Sequence, residues 1–163
     1  MIKILFVCYG NICRSPMAEF VMRKLADDAG LSEQIKTASA ATSGEEIGNP
    51  VYLPVRKLLS NHSIDCTGKT ARRLTKRDYA EYDYIIGMDS ANMRDMRRIF
   101  EIDENIENAD LCGAARDKLC LLRDFTDRPG DIVDPWYTRD FAATWRDVNE
   151  GCAGLIEKIK AEI

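Results

Sequence analysis

Seven consecutive residues, Cys8-Tyr9-Gly10-Asn11-Ile12-Cys13-Arg14, combine a sulfur nucleophile, a permissive glycine and a guanidinium. If the chain curls here, successive backbone N–H groups face one centre. With the positive end of a following helix they would make a nest for a dianion such as phosphate. Arg14 would grip two of its oxygens in a bidentate fork, which a lysine could not. The same amides and guanidinium would favour thiolate over thiol at Cys8, and Ser15 is placed to donate a hydrogen bond to that sulfur. Gly10 lets the backbone turn tightly or approach the anion closely. Asn11 tolerates left-handed backbone and can hold the loop through its amide. No G-K-[ST] arrangement follows, so this is not a nucleotide-binding loop.

The bare C-x5-R spacing is weak by itself, and the chain contains a second match, Cys66 to Arg72. Only the Cys8 copy has a strand-like run before it and a helix signal after it, so Cys66 is set aside as a decoy. A thiolate that attacks phosphorus needs a proton donor for the departing oxygen and later a base for water. Asp131-Ile132-Val133-Asp134-Pro135-Trp136-Tyr137 offers one. Asp134 precedes proline and is therefore expected in extended or turn backbone. Trp136 and Tyr137 could wall a slot for an aromatic leaving group. A turn closing onto the core accounts for the same residues. Cys13 has two readings as well. A curled loop could bring its sulfur beside Cys8, where it would capture an oxidised Cys8 as a disulfide, or it packs beneath the loop.

The elements that must position these groups alternate. Ile2 to Val7 is a β-branched apolar run suited to a strand buried on both faces. Ser15-Pro16 resembles an N-cap followed by proline at the first helical position, and the helical spacing runs to Gly30. Ile35 to Ala41 predicts a second strand, and Asn49-Pro50 opens a helix through Leu59. Thr75 caps a short helix, and Tyr84 to Ile86 is a third strand followed by a helix over Asp89 to Ile99. Leu119 to Leu122 is a fourth strand, and Phe141 to Ile163 an amphipathic closing helix. Such alternation implies an α/β chain with a parallel sheet covered on both faces, its ligand crevice beyond the carboxyl ends of the strands. Cys8 sits at such an end. No repeat or linker divides residues 1–163, so one domain is expected.

With 163 residues, a formal net charge of -4 and no apolar run of membrane length, neither nucleic acid nor a membrane is an expected partner. Met1 to Val7 lacks the features of a signal peptide, which leaves the cytoplasm as the expected compartment. No C-x2-C pair occurs and the one histidine, His62, has no cysteine at ligand spacing, so no metal is expected. Cys66, Cys112, Cys120 and Cys152 are read as small buried hydrophobes without disulfides. His62 is a structural or solvated helix residue. Glu101 to Asp110 is a solvated acidic loop, and Lys69, Arg72, Arg73, Lys76 and Arg77 form a solvated basic face.

Val7-Cys8-Tyr9-Gly10-Asn11-Ile12-Cys13-Arg14-Ser15-Pro16-Met17-Ala18-Glu19 resembles the active-site signature of the low-molecular-weight protein tyrosine phosphatases. Ser39 to Gly44, Ile47 to Pro50, Ala71-Arg72 with Thr75, Met88-Asp89 with Asn92, and Asp134 to Tyr137 resemble further blocks of that family, in its order along essentially the whole chain. The resemblance implies a four-stranded parallel sheet between helices and hydrolysis of phosphotyrosine in a protein substrate. It also implies Cys8 as nucleophile, Arg14 as phosphate clamp, and Asp134 as general acid and then base. Asn11 and Ser39 would shape the loop, Ser15 assist the sulfur, Asp89 orient the arginine, and Trp136 and Tyr137 form the aromatic wall. Relatives with a second loop cysteine favour the protective reading of Cys13. No cofactor is implied, and a monomer is expected.

Two residues depart from the pattern: Lys69 stands where many relatives carry a histidine in the network behind the loop, and Glu45 occupies a rim position, often aromatic in relatives, that bears on peptide preference. Arginine phosphatases of the same fold place a small threonine where Ile12 stands, so the apolar Ile12 favours an aryl ring. A thioredoxin-coupled arsenate reductase would need two further cysteines near Ile85 to Asp89, and none is there. A non-catalytic phosphopeptide-binding module would be expected to have lost Asp134.

Overall fold

The computed structural model describes residues 1–102 and 118–163. The elements, in chain order, are β1 (Ile2–Cys8), α1 (Arg14–Asp28), β2 (Ile35–Ala41), α2 (Leu53–Asn61), α3 (Lys76–Glu81), β3 (Tyr84–Gly87), α4 (Ser90–Phe100), β4 (Leu119–Leu121), α5 (Pro135–Thr138) and α6 (Phe141–Glu162), with a 3-10 turn at Leu122–Phe125. The strands form one parallel sheet in the order β2-β1-β3-β4.

Strand β1 is central, and its alternation of side chains builds two cores. Ile4, Phe6 and Cys8 pack with Met17 and Val21 of α1 and Val148, Cys152 and Leu155 of α6, whereas Leu5 and Val7 pack with Leu74, Ile85 and Met96 on the other face. Ile4 to Val7 are fully buried, as the unbroken apolar run requires. In register, Cys8 lies beside Ala41, and Val7 beside both Ala40 and Gly87. The carboxyl ends of β1, β2 and β3 therefore meet at one edge, where Ile132 N–H donates to the Met88 carbonyl at 2.8 Å and docks the Asp134 segment.

Several sequence expectations shift. Helix α1 begins at Arg14, with Cys13 as an N-cap that makes no side-chain capping bond. Ser15 lies inside the first turn because its hydroxyl is engaged by Cys8 and Asn11 instead of a backbone N–H. Pro16 is still tolerated there, since first-turn N–H groups have no helical acceptor. Helix α2 opens at Leu53 with Pro54 in its first turn, while Pro50 forms an isolated antiparallel bridge to Thr70. Cys66 and Cys152 are buried free thiols as expected, but Cys120 is buried and disulfide-bonded, which corrects its reading as a plain thiol. Cys112 and most of the acidic Glu101 to Asp110 stretch lie outside the described residues. The basic cluster is not simply solvated. Arg72 pairs with Asp78 at 3.0 Å, Lys76 with Glu101, and Lys69 turns inward. Exposed His62 stacks on Trp145 with ring centroids 4.2 Å apart.

Candidate active site

Cys8 closes β1 and is 3 % exposed, its sulfur 3.0 Å from Ser15 Oγ and accepting the Asn11 N–H at 3.3 Å. The curl that brings Asn11 back onto Cys8 requires left-handed backbone, and Asn11 supplies it with φ 59°. Gly10 does not take that role. A Cβ there would meet Glu46 Cγ at 3.4 Å, close to ordinary contact.

Asn11 spends its whole amide on the loop. Its Nδ2 donates to Ser15 Oγ at 2.7 Å and Ser39 Oγ at 2.9 Å, and its Oδ1 accepts the Arg72 N–H at 3.1 Å. Since Ser15 already accepts from Asn11, its own proton is free for the Cys8 sulfur. The chain continues behind the loop. Ser39 Oγ donates to Glu19 Oε2 at 2.5 Å, and Lys69 Nζ lies 3.4 Å from that oxygen while donating to the Ser39 carbonyl at 3.0 Å. Glu19 is 5 % exposed, and such a carboxylate must be paired. Arg23 provides a second partner at 2.9 Å. Burial lowers the Lys69 pKa, a loss that Glu19 only partly offsets.

Among the described residues, Arg14 is the largest fully buried side chain. Its Nη1 donates to Asp89 Oδ2 at 2.6 Å and to the Ile132 carbonyl at 2.8 Å, and its Nη2 lies 3.4 Å from Asp134 Oδ2. Burial alone would lower its pKa, but the charge on the Cys8 sulfur and the two carboxylates outweigh it, so the guanidinium is held firmly charged. Asp89 is fixed in turn as the N-cap of α4, accepting the Asn92 N–H at 2.8 Å.

Asp134 has extended backbone (φ -71°, ψ 115°) and caps the single turn of α5, its Oδ1 accepting the Trp136 N–H at 3.0 Å. One pocket is lined by Cys8, Tyr9, Gly10, Ile12, Cys13, Arg14, Asp134, Trp136 and Tyr137, with Glu45 and Glu46 at its rim. Tyr9 donates its hydroxyl proton to Glu45 Oε1 at 2.8 Å, and Tyr137 is 80 % exposed. Such a cleft can hold a dianion at its base, an apolar ring between its walls, and a carboxyl beside the leaving oxygen. Cys13 is 4 % exposed, and its thiol is pushed up to about 12, by burial first and then by negative charge on Cys8 and Asp134.

The structure thus brings Cys8, Arg14, Asp134, Trp136 and Tyr137 together, with Ser15, Ser39, Asn11 and Asp89 behind them. It separates Cys66 and Asp131 from them. Asp131 is not in the pocket but accepts from Ser90 N and Oγ at the start of α4. Cys66 is buried with a raised pKa, chiefly from desolvation, while its matching Arg72 is committed to Asp78. Sequence reasoning missed Glu19 and the Ile132 carbonyl. Glu19 precedes Arg23 by four residues, one helical turn, and that charge pair was a usable signal. A backbone carbonyl leaves none.

The sequence profile of the family described as "Low molecular weight phosphotyrosine protein phosphatase" matches residues 3–163. The chain is 36% identical over 171 residues to low molecular weight protein-tyrosine-phosphatase YfkJ of Bacillus subtilis (99% of this chain, 98% of that protein). The YfkJ crystal structure superposes with a TM-score of 0.89, covering 99% of this chain and 96% of that one. The human low molecular weight phosphotyrosine protein phosphatase is 39% identical over 159 residues, spanning 96% of this chain and 94% of the human protein. A Drosophila arginine phosphatase structure is similar at TM-score 0.84 and 25% identity, covering 98% of each chain.

Proposed function

This chain belongs to the low molecular weight phosphotyrosine protein phosphatase family, and on that premise we propose that it hydrolyses phosphotyrosine monoesters in proteins through a cysteinyl-phosphate intermediate. The Cys8 sulfur attacks phosphorus while Arg14 and the loop amides hold the equatorial oxygens, whose charge they stabilise. The phosphorus–oxygen bond to tyrosine breaks, and Asp134 gives its proton to the leaving phenolate. Asp134, now a carboxylate, takes a proton from water as that water attacks phosphorus. The sulfur leaves as thiolate, eased by Ser15, and inorganic phosphate departs. The reading treats 1–163 as one domain, needs no metal or organic cofactor, and has a phosphotyrosine protein of the cytoplasm as substrate.

One observation carries the reading: Cys8, Arg14 and Asp134 line a single pocket with Ile12, Trp136 and Tyr137 as apolar walls. The acidic rim at Glu45 and Glu46 favours a second reading, a protein arginine phosphatase, because a phosphoarginine guanidinium would meet those carboxylates. Turnover of phosphotyrosine and phosphoarginine peptides side by side decides between them, with Cys8→Ser as the inactive control. Phosphotyrosine should be preferred, and Ile12→Thr should move relative kcat/KM toward phosphoarginine by about 1–3 kcal/mol. A wild-type preference for phosphoarginine refutes the first reading, and full activity in Cys8→Ser refutes both.

A further inference from the structure

The segments that carry the chemistry come from opposite ends of the chain, and Tyr52 stands between them. Its backbone N–H donates to the Ile12 carbonyl of the phosphate loop at 2.9 Å. Its side chain reaches the other segment. The hydroxyl accepts from Arg139 Nη1 at 2.9 Å, and the ring lies 5.0 Å from that of Trp136, tilted 55°. Phe141, at the start of α6, lies 6.2 Å from the same ring, tilted 32°. Arg139 closes the cluster, its guanidinium carbon 5.6 Å from the Tyr52 ring centroid and 5.5 Å from that of Trp136. Arg139 is itself locked as the left-handed C-cap of α5, its N–H on the Pro135 carbonyl at 2.9 Å.

Helix α5 has four residues, far too few to hold a shape unaided. Yet its first turn fixes the carboxylate of Asp134. Arg14 holds the segment from inside the pocket, through the Ile132 carbonyl and Asp134, and the Tyr52 cluster is a second tie, from the Trp136 side of α5 to the loop at Ile12. We infer that Tyr52 and Arg139 are positioning residues for proton transfer, tying the Asp134–Trp136 segment to the loop at Ile12. The inference rests on Asp134 being the general acid. A shift of about 1 Å at a reacting group can cost up to roughly a hundredfold in rate, so loosening this tie is felt first where the leaving group needs its proton.

The test measures kcat/KM for aryl phosphates whose leaving groups run from phenol to dinitrophenol. It uses the wild type, Tyr52→Leu, Asp134→Ala and the double variant, with melting temperatures as the check on folding. Tyr52→Leu should lower kcat/KM about tenfold for phenyl phosphate and less than about twofold for dinitrophenyl phosphate. In the Asp134→Ala background the same substitution should change rates by less than about twofold, because the group it positions is gone. Tyr52→Phe, which removes only the hydroxyl–guanidinium contact, and Arg139→Ala, which also removes the guanidinium from the Tyr52 and Trp136 rings, should each show the same leaving-group dependence at about threefold or more. A loss of equal size across the leaving groups, or one that persists in Asp134→Ala, overturns the positioning role. A wild type that hydrolyses no aryl phosphate, or an Asp134→Ala variant indifferent to the leaving group, overturns the functional reading and this inference with it.

Discussion

Peroxide inactivation and its reversal test whether Cys13 protects Cys8. Both thiols are buried and free, and both line the pocket. Burial, then negative charge on Cys8 and Asp134, pushes the Cys13 thiol up to about 12, so very little of it is ionised near neutral pH. Peroxide should therefore oxidise Cys8, inserting one oxygen to give sulfenic acid and releasing water. That step removes the charge on Cys8, one cause of the raised Cys13 value, while burial, the larger cause, persists. Cys13 then attacks the Cys8 sulfur as thiolate, forming the disulfide and expelling hydroxide as water. Because the ionised fraction of Cys13 is so small, closure of the bridge should accelerate about tenfold per pH unit between roughly 6.5 and 8.5. The assay quenches peroxide-treated enzyme with an alkylating reagent, maps the Cys8–Cys13 bridge in peptides, and records activity regained with dithiothreitol. Bound phosphate should slow inactivation. Cys13→Ser should keep most of its catalysis but recover poorly, as Cys8 proceeds to sulfinic acid. Bridge closure that is flat with pH, or full recovery in Cys13→Ser, would refute the reasoning.

Asp134→Ala should slow phosphotyrosine turnover by roughly a hundredfold or more, with a smaller loss for dinitrophenyl phosphate; equal losses across leaving groups would remove Asp134 as the acid. Lys69→Met strands the buried Glu19 carboxylate with Arg23 and Ser39. Urea titration should find a loss of about 2 kcal/mol, below the ~3–5 kcal/mol of a wholly unpaired buried charge because Arg23 remains. An unchanged midpoint would mean Lys69 carries none of this network. Gly154→Ala would place a Cβ 1.9 Å from the Phe125 carbonyl oxygen, where α6 crosses the 3-10 turn. Thermal unfolding should show at least about 1–3 kcal/mol of destabilisation, and a neutral result would contradict that close approach.

What the sequence determined by itself was local in character. The apolar run Ile4 to Val7, the glycine and asparagine before Arg14, the proline after Asp134 and the amphipathic closing helix each carry a backbone preference within a few residues. Those preferences are enough for the order of strands and helices and for a curled loop at a strand end. The start of α1 at Arg14 was less legible, because Ser15 has the chemistry of an N-cap and only its contacts with Cys8 and Asn11 show where its hydroxyl goes. The family's motifs named Cys8, Arg14 and Asp134, but 120 residues separate Arg14 from Asp134. Only the parallel register, which gathers the ends of β1, β2 and β3 at one edge, brings them within 3.4 Å. Tertiary structure also decided between look-alikes. Cys8 and Cys66 share the same spacing to an arginine, and Asp131 and Asp134 lie three residues apart. Their different fates follow from which partners the fold supplies: Asp78 claims Arg72, and Ser90 at the start of α4 claims Asp131. The inward turn of Lys69 has the same origin: the family's pattern put this position in the network behind the loop, but its partner, a buried carboxylate from a distant helix, is supplied only by the fold.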